Sequence, residues 1–223
     1  MNGHAFIIIA LAAAAAWSAE TIAVGPVPAT GGTVTPAGGN NDSQIELYWD
    51  SGTCTGDFAW YTGTNTWGGV DFSISTIAAY TYIYSSRIYY YPYWPNGTWE
   101  GNGMAVYAFS GGTPGSVMMP SRYVRGSGTV GGWQSFDVSW GLPGGVQSFV
   151  MCFSQLYNYP GVDPVYPLDS ATNYGIHCWY YYQGVWAHTS SLYAGDLMLR
   201  ATVDDTHSAV APASFGRVKA MYH

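Results

Sequence analysis

The sequence predicts an all-β protein, folded as a two-sheet antiparallel β-sandwich of jelly-roll type with about ten strands. Three observations support this fold class. From Gln44 to Val203, apolar and polar residues alternate with a period of two, and clusters of Gly, Pro, Asn and Ser interrupt the alternation. No stretch repeats apolar residues at helical spacing over three turns. No internal repeat has the period of a propeller blade.

The alternation defines ten candidate strands, which are separated by turn signals. They are Gln44–Trp49, Asp57–Thr62, Val70–Ile74, Tyr80–Tyr91, Met104–Ser110, Ser121–Arg125, Trp133–Trp140, Val146–Leu156, Tyr174–Tyr182 and Asp196–Val203.

Two of these strands indicate how the sheets are covered. In Asp196–Val203 the apolar residues Leu197, Leu199, Ala201 and Val203 occupy alternate positions, which predicts one face toward the core and one toward solvent. In Val146–Leu156 both sets of alternate positions are apolar or nearly so. This second pattern predicts a central strand that is covered on both faces.

The composition is rich in aromatic residues and poor in charge. Phe, Trp and Tyr make up 17% of the 223 residues, whereas Asp, Glu, Lys and Arg make up 9%. Disordered chains have the opposite composition. Six basic residues against 13 acidic ones give a net charge of -7, and nucleic-acid binding requires clustered Lys and Arg. The sequence therefore predicts a folded protein and excludes nucleic acid as a partner.

Residues 1–18 are predicted to be a secretory signal peptide. Phe6–Ala16 is an unbroken apolar run of 11 residues, which suits the core of a signal peptide and is shorter than the roughly 20 residues of a membrane-spanning helix. Small residues at Ala16 and Ser18 suit cleavage before Ala19. The alternative is an N-terminal helix that is buried in the fold. A signal peptide predicts a secreted or cell-surface protein with no transmembrane segment in the mature chain.

Two further segments flank the predicted sandwich domain, which is expected to span residues 44–205. Residues 19–43 contain Gly, Pro, Thr and Ala without periodicity, which predicts a flexible leader. Residues 206–223 combine a linker with a short tail that contains Arg217 and Lys219. The tail is interpreted either as a sorting or docking signal or as a loose chain end.

The segment from residue 89 to residue 99 is the strongest candidate for ligand binding. Its prolines prevent it from continuing as a central strand, so we expect several rings to reach the surface. Flat aromatic faces stack on sugar rings and on partner side chains. The alternative is that these rings fill the core and cap its ends. The predicted ligand-binding residues are Tyr89, Tyr91, Tyr93, Trp94 and Trp99, and the rim would be extended by Tyr157, Tyr159, Tyr166 and Trp179–Tyr182.

The three cysteines allow two arrangements. In an exported protein, Cys152 and Cys178 lie in strands that are candidates for neighbours, so they form a candidate disulfide that leaves Cys54 unpaired. The alternative is that all three thiols are reduced, with Cys152 and Cys178 acting as small buried apolar residues.

Metal sites have little support in the sequence. His177 and His188 flank a predicted hairpin at Gln183-Gly184 and would need a nearby carboxylate to bind a metal. The simpler interpretation is that they are surface or hydrogen-bonded residues. We therefore predict no cofactor, apart from a structural calcium ion that the oxygen-rich loop carrying Asp163 and Asp169 would suit.

Catalytic motifs are missing from the sequence. There is no His-Glu-x-x-His, Gly-x-Ser-x-Gly, phosphate-binding glycine loop or Cys-x-x-Cys. A carboxylate pair for glycoside hydrolysis is the remaining route to an enzyme. Each candidate acid is more simply a turn or solvent-face residue, so we predict that the protein is not an enzyme. These candidate acids are Asp163, Asp169, Asp196, Glu100 and Asp137.

Short aromatic and glycine-rich segments follow one another along residues 44–203. They are Tyr48–Gly52, Phe58–Tyr61, Gly69–Phe72, Met104–Phe109, Gly111–Gly115, Gly131–Trp133 and Gly195–Ala201. In this order they resemble the jelly-roll accessory modules of secreted bacterial surface proteins, and the ending Ser214–Lys219 resembles short tails of exported bacterial proteins. The tail is shorter than a type IX sorting domain, which is a whole small β-domain. The resemblance implies a surface or extracellular module with no activity of its own.

The expected function is a non-enzymatic β-sandwich module at the cell surface or outside the cell. It would bind glycans or partner proteins through aromatic loops, with polysaccharide or cell-surface components as partners. One alternative is a structural subunit of a surface assembly, because low charge and high Tyr and Gly content suit subunit packing. A glycoside-active enzyme that uses a carboxylate pair is the third hypothesis.

Overall fold

The computed structural model describes residues 22–24, 44–61, 65–73, 81–90, 102–124, 132–143, 146, 148–156, 158, 166–171 and 175–204. These residues form β-strands and two short 3-10 helices, Gly175–His177 and Thr189–Ser191, and no α-helix. Within the same ranges, no helix has the length and apolarity that a membrane crossing requires. The all-β prediction is confirmed.

Fourteen strands lie in the described part of the chain. In chain order they are β1 (Ile22–Val24), β2 (Gln44–Leu47), β3 (Gly56–Trp60), β4 (Thr66–Ser73), β5 (Thr81–Tyr90), β6 (Asn102–Ser110), β7 (Thr113–Val124), β8 (Gly132–Leu142), β9 (Ser148–Gln155), β10 (Tyr166–Asp169), β11 (Cys178–Tyr182), β12 (Val185–His188), β13 (Asp196–Leu197) and β14 (Leu199–Asp204). The ten predicted strands all correspond to one or two of these, and β1, β10 and β12 were not predicted as strands.

A six-stranded antiparallel sheet forms one layer of the fold. Its strand order is β12-β11-β4-β9-β6-β7. Strand β9 lies between β4 and β6, and all of its residues except Ser148 are buried. Large apolar side chains on both faces of β9 explain this burial, as its sequence predicts.

The second layer consists of two four-stranded sheets that meet at one residue. Their strand orders are β1-β3-β10-β13 and β2-β14-β5-β8. Met198 lies between β13 and β14, where its backbone N–H donates to Pro167 O and its carbonyl accepts from Tyr89 N. The two sheets are therefore joined into one layer. With the six-stranded sheet opposite, this arrangement confirms the β-sandwich.

A single large core lies between the two layers. The six-stranded sheet contributes residues such as Val70, Met104 and Phe149, and the second layer contributes residues such as Phe58 and Leu199. All five of these side chains are 3% exposed or less. Burying side chains of this size stabilises a fold by about 1.5–3 kcal/mol each before the entropy of ordering is subtracted.

The prediction that Asp196–Val203 has one solvent-facing side is wrong. Leu197, Leu199, Ala201 and Val203 face the core as expected, but Asp196, Met198 and Arg200 on the other side are also buried. The guanidinium of Arg200 bonds both carboxylate oxygens of Asp50, and Nη1 bonds Glu46 Oε2. It lies over the rings of Trp133 and Tyr48, at 4.2 and 4.5 Å from their centroids. These partners are distant in sequence, and they cover the face that alternation alone predicts to be solvent-exposed.

The buried ion pair shifts the titration of both of its members. Burial raises the pKa of Asp50, and the bond to Arg200 opposes part of that increase. For Arg200, burial lowers the pKa and the bond to Asp50 raises it, with a net increase. Arg87 extends the network through a 2.9 Å bond from Nη1 to Glu46 Oε1.

The predicted leader takes part in the fold. Residues 22–24 lie within the segment expected to be flexible, yet they form β1, which pairs antiparallel with β3. The strand adds an outer member to the small sheet, because backbone pairing needs no alternation of side chains. The predicted signal peptide at 1–18 and tail at 206–223 lie outside the described residues.

Candidate functional site

Aromatic side chains cover the outward face of the six-stranded sheet. Val70 and Cys178 are cross-strand partners that face the core, so their chain neighbours on β4 and β11 point outward. Tyr181 is paired with Trp67 on one side and with Trp186 on the other. The outward-facing aromatic residues are Trp67, Tyr107, Phe109, Trp179, Tyr181 and Trp186.

The hairpin formed by β11 and β12 curls over this outward face. The ring of Trp186 in β12 lies 5.2 Å from that of Tyr107 in β6, although three strands separate β12 from β6 in the sheet. Neighbouring strands are about 4.8 Å apart, so a flat sheet would keep these rings apart. Under the curled hairpin, Val150 and Cys152 have no exposed surface. The outward face thus carries a second, smaller core.

A cleft of about 530 Å³ opens beside this second core. Its volume lies within the range of about 300–1,000 Å³ that is usual for small-ligand pockets. Of the described residues that line it, four are half-buried aromatic side chains, two carry amides, and none is acidic or basic. The lining residues are Asn65, Trp67, Tyr107, Tyr181, Tyr182, Gln183 and Gly184.

The amide side chains of the cleft are carried by unusual backbone conformations. Gln183 and Gly184 have φ angles of 50° and 88° and connect Tyr182 to its partner Val185, which is the φ signature of a type I′ hairpin turn. Asn65, which precedes β4, also has a positive φ of 60°. A positive φ is rare for residues other than Gly, and such residues often occur at binding sites.

Tyr182 is supported from below by the core. Its ring stacks on Trp60, with centroids 4.4 Å apart and an interplanar angle of 10°. Trp60 is held in turn by the side chain of Gln155, whose Oε1 accepts from Trp60 N and whose Nε2 donates to Trp60 O. The hydroxyl of Tyr182 accepts a 3.3 Å bond from Gln183 Nε2. One wall of the cleft is therefore fixed by buried residues.

Trp67 and Tyr107 also line the cleft, and their rings meet edge to face at 6.1 Å. Burial, followed by the nearby Cys152 and Tyr181, raises the pKa of Tyr107 to about 12. The hydroxyl of Tyr107 therefore stays protonated at neutral pH and can both donate and accept. Flat rings with amide and hydroxyl groups at their edges suit a ligand that has an apolar face and a polar rim.

A second polar cluster lies farther along the same outward face. His177 Nδ1 is 2.6 Å from Asp71 Oδ1, and the His177 ring stacks on Trp49 at 3.8 Å. Trp179 Nε1 donates to Asp71 Oδ2 at 3.4 Å, and the ring of His188 packs on Trp179. Among the residues described, no group of three or more His, Cys, Asp or Glu is arranged to hold a metal ion. His177 therefore serves in hydrogen bonding and ring stacking, and His188 in ring packing.

Two of the candidate carboxylates are brought together. Asp169 and Asp196 are directly opposite each other in β10 and β13. Both have no exposed surface, and Asp169 accepts bonds from the backbone and hydroxyl of Ser51 and from Ala171 N. Asp137 is exposed in β8 of the other layer. Asp163 and Glu100 lie outside the described residues, so of the predicted calcium site, which was expected to include Asp163 and Asp169, only Asp169 is described.

The predicted aromatic loop is only partly described. Tyr89 is 6% exposed and meets Trp133 edge to face at 5.7 Å, so it does not reach the surface as predicted. Its place in β5 accounts for this burial, because the strand continues to Tyr90. Tyr166, predicted to extend the rim, is also buried. The other predicted binding residues and the remaining rim tyrosines lie outside the described residues: Tyr91, Tyr93, Trp94, Trp99, Tyr157 and Tyr159.

The predicted disulfide between Cys152 and Cys178 is wrong. Strand β4 separates the two cysteines, because Cys152 is paired with Gly69 and Cys178 with Val70. Cys178 faces the main core and Cys152 faces outward, so the thiols lie on opposite sides of the sheet. All three cysteines are free and buried, as the alternative interpretation expects.

Most of the cleft was missed in the sequence. Tyr181 and Tyr182 were within the aromatic run that was expected to extend a binding rim, but Trp67, Tyr107, Asn65 and Gln183 were not singled out. A signal was present in β11, where both sets of alternate positions are aromatic (Cys178–Tyr182). Two aromatic faces on one strand indicate that the outward face has a partner or a ligand, because a solvent-facing side is normally polar.

Comparison with known proteins shows a similarity of fold to a solved structure. No protein-family model matches the chain, and no curated protein matches it in sequence. The crystal structure of the cysteine protease and lectin-like domains of Cwp84, a surface layer associated protein of Clostridium difficile, is similar with a TM-score of 0.53 and 9% sequence identity. The match covers 74% of this chain and 36% of the other, so this chain spans a little over a third of that structure. At this identity the similarity shows the fold alone.

Proposed function

We propose that this protein is a non-enzymatic β-sandwich module of the cell surface or extracellular space, and that it binds a glycan in the aromatic cleft. The observation that carries the proposal is the lining of the cleft, where four aromatic rings and two amide side chains surround about 530 Å³. The rings offer flat apolar faces to the C–H face of a sugar ring. The amides and the tyrosine hydroxyls offer donors and acceptors to its hydroxyl groups.

Preorganisation supports a binding role for the cleft. The stack of Tyr182 on Trp60 and the turn at Gln183 hold their groups in place before a ligand arrives. Binding then orders few side chains, which costs about 0.5–1.5 kcal/mol for each side chain that has to be immobilised. Weakly binding sugars gain from such a rigid site.

A surface location is supported by two independent observations. The apolar run at residues 6–16 predicts export. The structure with a similar fold belongs to a surface layer associated protein and includes a domain described as lectin-like. Both observations are consistent with an extracellular glycan as the ligand.

The non-enzymatic part of the proposal is supported by the described carboxylates. Hydrolysis by a carboxylate pair requires both groups to reach the substrate, at about 5–10 Å from each other. Asp169 and Asp196 are adjacent but have no exposed surface, and no carboxylate lines the cleft. A substrate in the cleft would therefore meet no acid or base of that kind from the lining.

The experiment is retention of the full chain on a panel of immobilised glycans, with variants of the cleft. Trp67→Ala and Tyr181→Ala each remove one ring, and we expect each to weaken retention by about two- to tenfold, since ring contacts contribute about 0.5–1.5 kcal/mol. The matched control is Tyr82→Ala, which removes a half-buried tyrosine from β5 in the other layer. Thermal unfolding of all three variants checks that they fold.

The outcomes separate three hypotheses. Loss of retention in the cleft variants but not in Tyr82→Ala supports the cleft. Retention that survives both cleft variants and is lost in Trp94→Ala would place the ligand at the predicted loop of residues 89–99 instead. Sugar release from the panel by the wild-type chain would contradict the non-enzymatic role.

An assembly role is the second candidate, and one observation favours it. Strand β7 ends the order of the six-stranded sheet and exposes Val117 and Tyr123, at 52% and 57%. A long edge strand can pair with another chain. Concentration-dependent oligomers in size-exclusion chromatography, lost on Val117→Lys, together with no glycan retention, would favour assembly over glycan binding.

A further inference from the structure

We propose that the ligand of the aromatic cleft is an uncharged glycan, and that glycans bearing carboxylate or sulfate groups are rejected. This inference rests on the proposed glycan-binding function and names the chemical class of its ligand. It follows from where the charges of the described residues lie.

The groups that line the cleft are neutral. Asn65 and Gln183 carry amides, which donate and accept hydrogen bonds but bear no charge. The rings of Trp67, Tyr107 and Tyr181 complete the lining together with Tyr182 and Gly184. Because its pKa is raised to about 12, the Tyr107 hydroxyl stays neutral even in mildly alkaline solution. Such groups recognise sugar hydroxyls and offer no counter-ion to an acidic sugar.

The three arginines in the described ranges cannot serve an anion in the cleft. Arg87 and Arg200 belong to β5 and β14 in the other layer, and both bond Glu46. Arg122 lies on β7, where its Nη1 donates to Val138 O in β8 of the other layer. Protein sites usually bind carboxylate and sulfate groups through Arg or Lys, often with two parallel bonds. None of the three described arginines is directed toward the aromatic face.

The outward face carries an acidic side chain. Asp71 carries a carboxylate there, bonded to His177 and Trp179. The whole chain has a formal charge of -7, with six basic residues in its entire length. A field of this sign repels polyanions over a distance of about one Debye length, roughly 10 Å at 0.1 M salt. An acidic polymer would thus be disfavoured both at contact and on approach.

The geometry also favours a neutral sugar ring over other flat ligands. A pyranose has an apolar C–H face and a rim of hydroxyls, and the cleft offers flat rings with amides and hydroxyls around them. The cleft volume of about 530 Å³ lies within the usual range for small-ligand pockets. Replacing hydroxyls of such a sugar by carboxylates would bury charges without partners, which is costly.

The test compares pairs of glycans that share a polysaccharide backbone and differ in the charge of their substituents. The full chain is run in affinity electrophoresis against hydroxyethyl cellulose and carboxymethyl cellulose, dextran and dextran sulfate, and methyl-esterified and free polygalacturonate. We expect at least one neutral polymer to bind, its charged counterpart to bind at least tenfold more weakly, and the neutral affinity to change less than twofold between 20 and 500 mM NaCl, as expected where no ion pair forms. Trp67→Ala is expected to weaken the neutral binding by about two- to tenfold, and Tyr82→Ala to keep it.

Failure of this inference is distinguishable from failure of the proposed function. One outcome is that a charged polymer binds at least as tightly as its neutral counterpart, with an affinity that salt weakens. That result would mean that a cation contributes to binding, in the cleft or at another site. It would overturn this inference but leave the proposed glycan binding intact. If Trp67→Ala binds the neutral polymers as tightly as the wild type does, the polymers do not bind in the cleft, which also overturns the inference. If no polymer of any pair binds, the proposed function falls and this inference falls with it.

Discussion

Tyr182 stacks on Trp60 with ring centroids 4.4 Å apart, and this contact joins the candidate cleft to the main core. Trp60 is 1% exposed, whereas Tyr182 is half-buried and lines the cleft. The same pair of rings therefore contributes to stability on one side and to ligand contact on the other. Substitutions at the two positions are expected to separate these contributions.

We expect Trp60→Ala to destabilise the fold by about 3–5 kcal/mol, because it leaves a large cavity in a close-packed core. Tyr182→Ala should cost about 1–2 kcal/mol, since its ring is half-buried and loses one stack. Tyr182→Phe keeps the ring and should stay within about 0.5 kcal/mol of the wild type. Chemical denaturation measures all three. Equal losses in the free energy of unfolding for Trp60→Ala and Tyr182→Ala would contradict the deeper burial of Trp60.

The buried ion pair of Arg200 and Asp50 predicts a strongly unequal response to single and double substitution. Asp50→Ala leaves the Arg200 guanidinium without its main partner in a buried site, and we expect a loss of about 3–5 kcal/mol in the free energy of unfolding. The double variant Asp50→Leu, Arg200→Met removes both charges and should recover part of that loss. Guanidinium denaturation is the measurement. A single variant that loses less than about 1 kcal/mol would show that the pair carries little of the stability.

The positive φ of Gln183 predicts that stability and binding change in opposite directions. Asn-Gly is the preferred sequence for a type I′ turn, so Gln183→Asn should raise the free energy of unfolding by a few tenths to about 1 kcal/mol. The shorter amide reaches less far into the cleft, so retention on the binding glycan should fall. Thermal unfolding and glycan retention on the same sample measure both effects. A variant that is less stable, or that binds better, would contradict the role given to Gln183.

The buried thiols predict low reactivity and a specific loss of stability in alkali. Burial raises the pKa of Cys54 to about 12, from an ordinary value of 9.0, and nearby Asp57 adds to the increase. The unfolded chain releases this proton at lower pH, so the contribution of Cys54 is fully present below pH 9.0 and is lost as the pH rises toward about 12. Cys54→Ala should therefore lose less stability than the wild type between pH 9 and 11.

Thiol labelling provides the complementary measurement. With all three cysteines buried, a thiol reagent at pH 8 should label none of them in the folded protein and all of them in denaturant. The control is the same reaction on Cys54→Ala, which should show one thiol fewer after denaturation. Rapid labelling of the folded chain would mean that at least one thiol is more accessible than its burial indicates.

The sequence predicted the strands better than their surroundings. Alternation located β9 and its coverage on both faces, because both sets of its side chains are apolar within one short segment. The same pattern failed for Arg200, whose side chain looks solvent-facing in its own strand but is buried by Asp50, Trp133 and Tyr48. Those partners lie in other parts of the chain, so alternation within one strand carries no information about them.

The candidate site was likewise predicted only in part from the sequence. The aromatic run at residues 179–182 was recognised as a contributor to a binding rim, and the hairpin turn at Gln183-Gly184 was expected. Trp67 and Tyr107 were not linked to it, because their contact depends on the curvature of a sheet in which β4 and β6 are separated by β9. The candidate disulfide between Cys152 and Cys178 failed for a related reason, because neither the strand order nor the facing direction of the two thiols can be read from their spacing.

The sequence alone determined the all-β class, the positions of eleven of the fourteen described strands and the small number of basic residues, since these depend on local alternation, turn residues and composition. The tertiary structure decided which aromatic residues face outward together and where the few arginines are directed. Both depend on register and on pairing between distant strands, and a shift of one residue in register would turn every side chain of a strand to the other face.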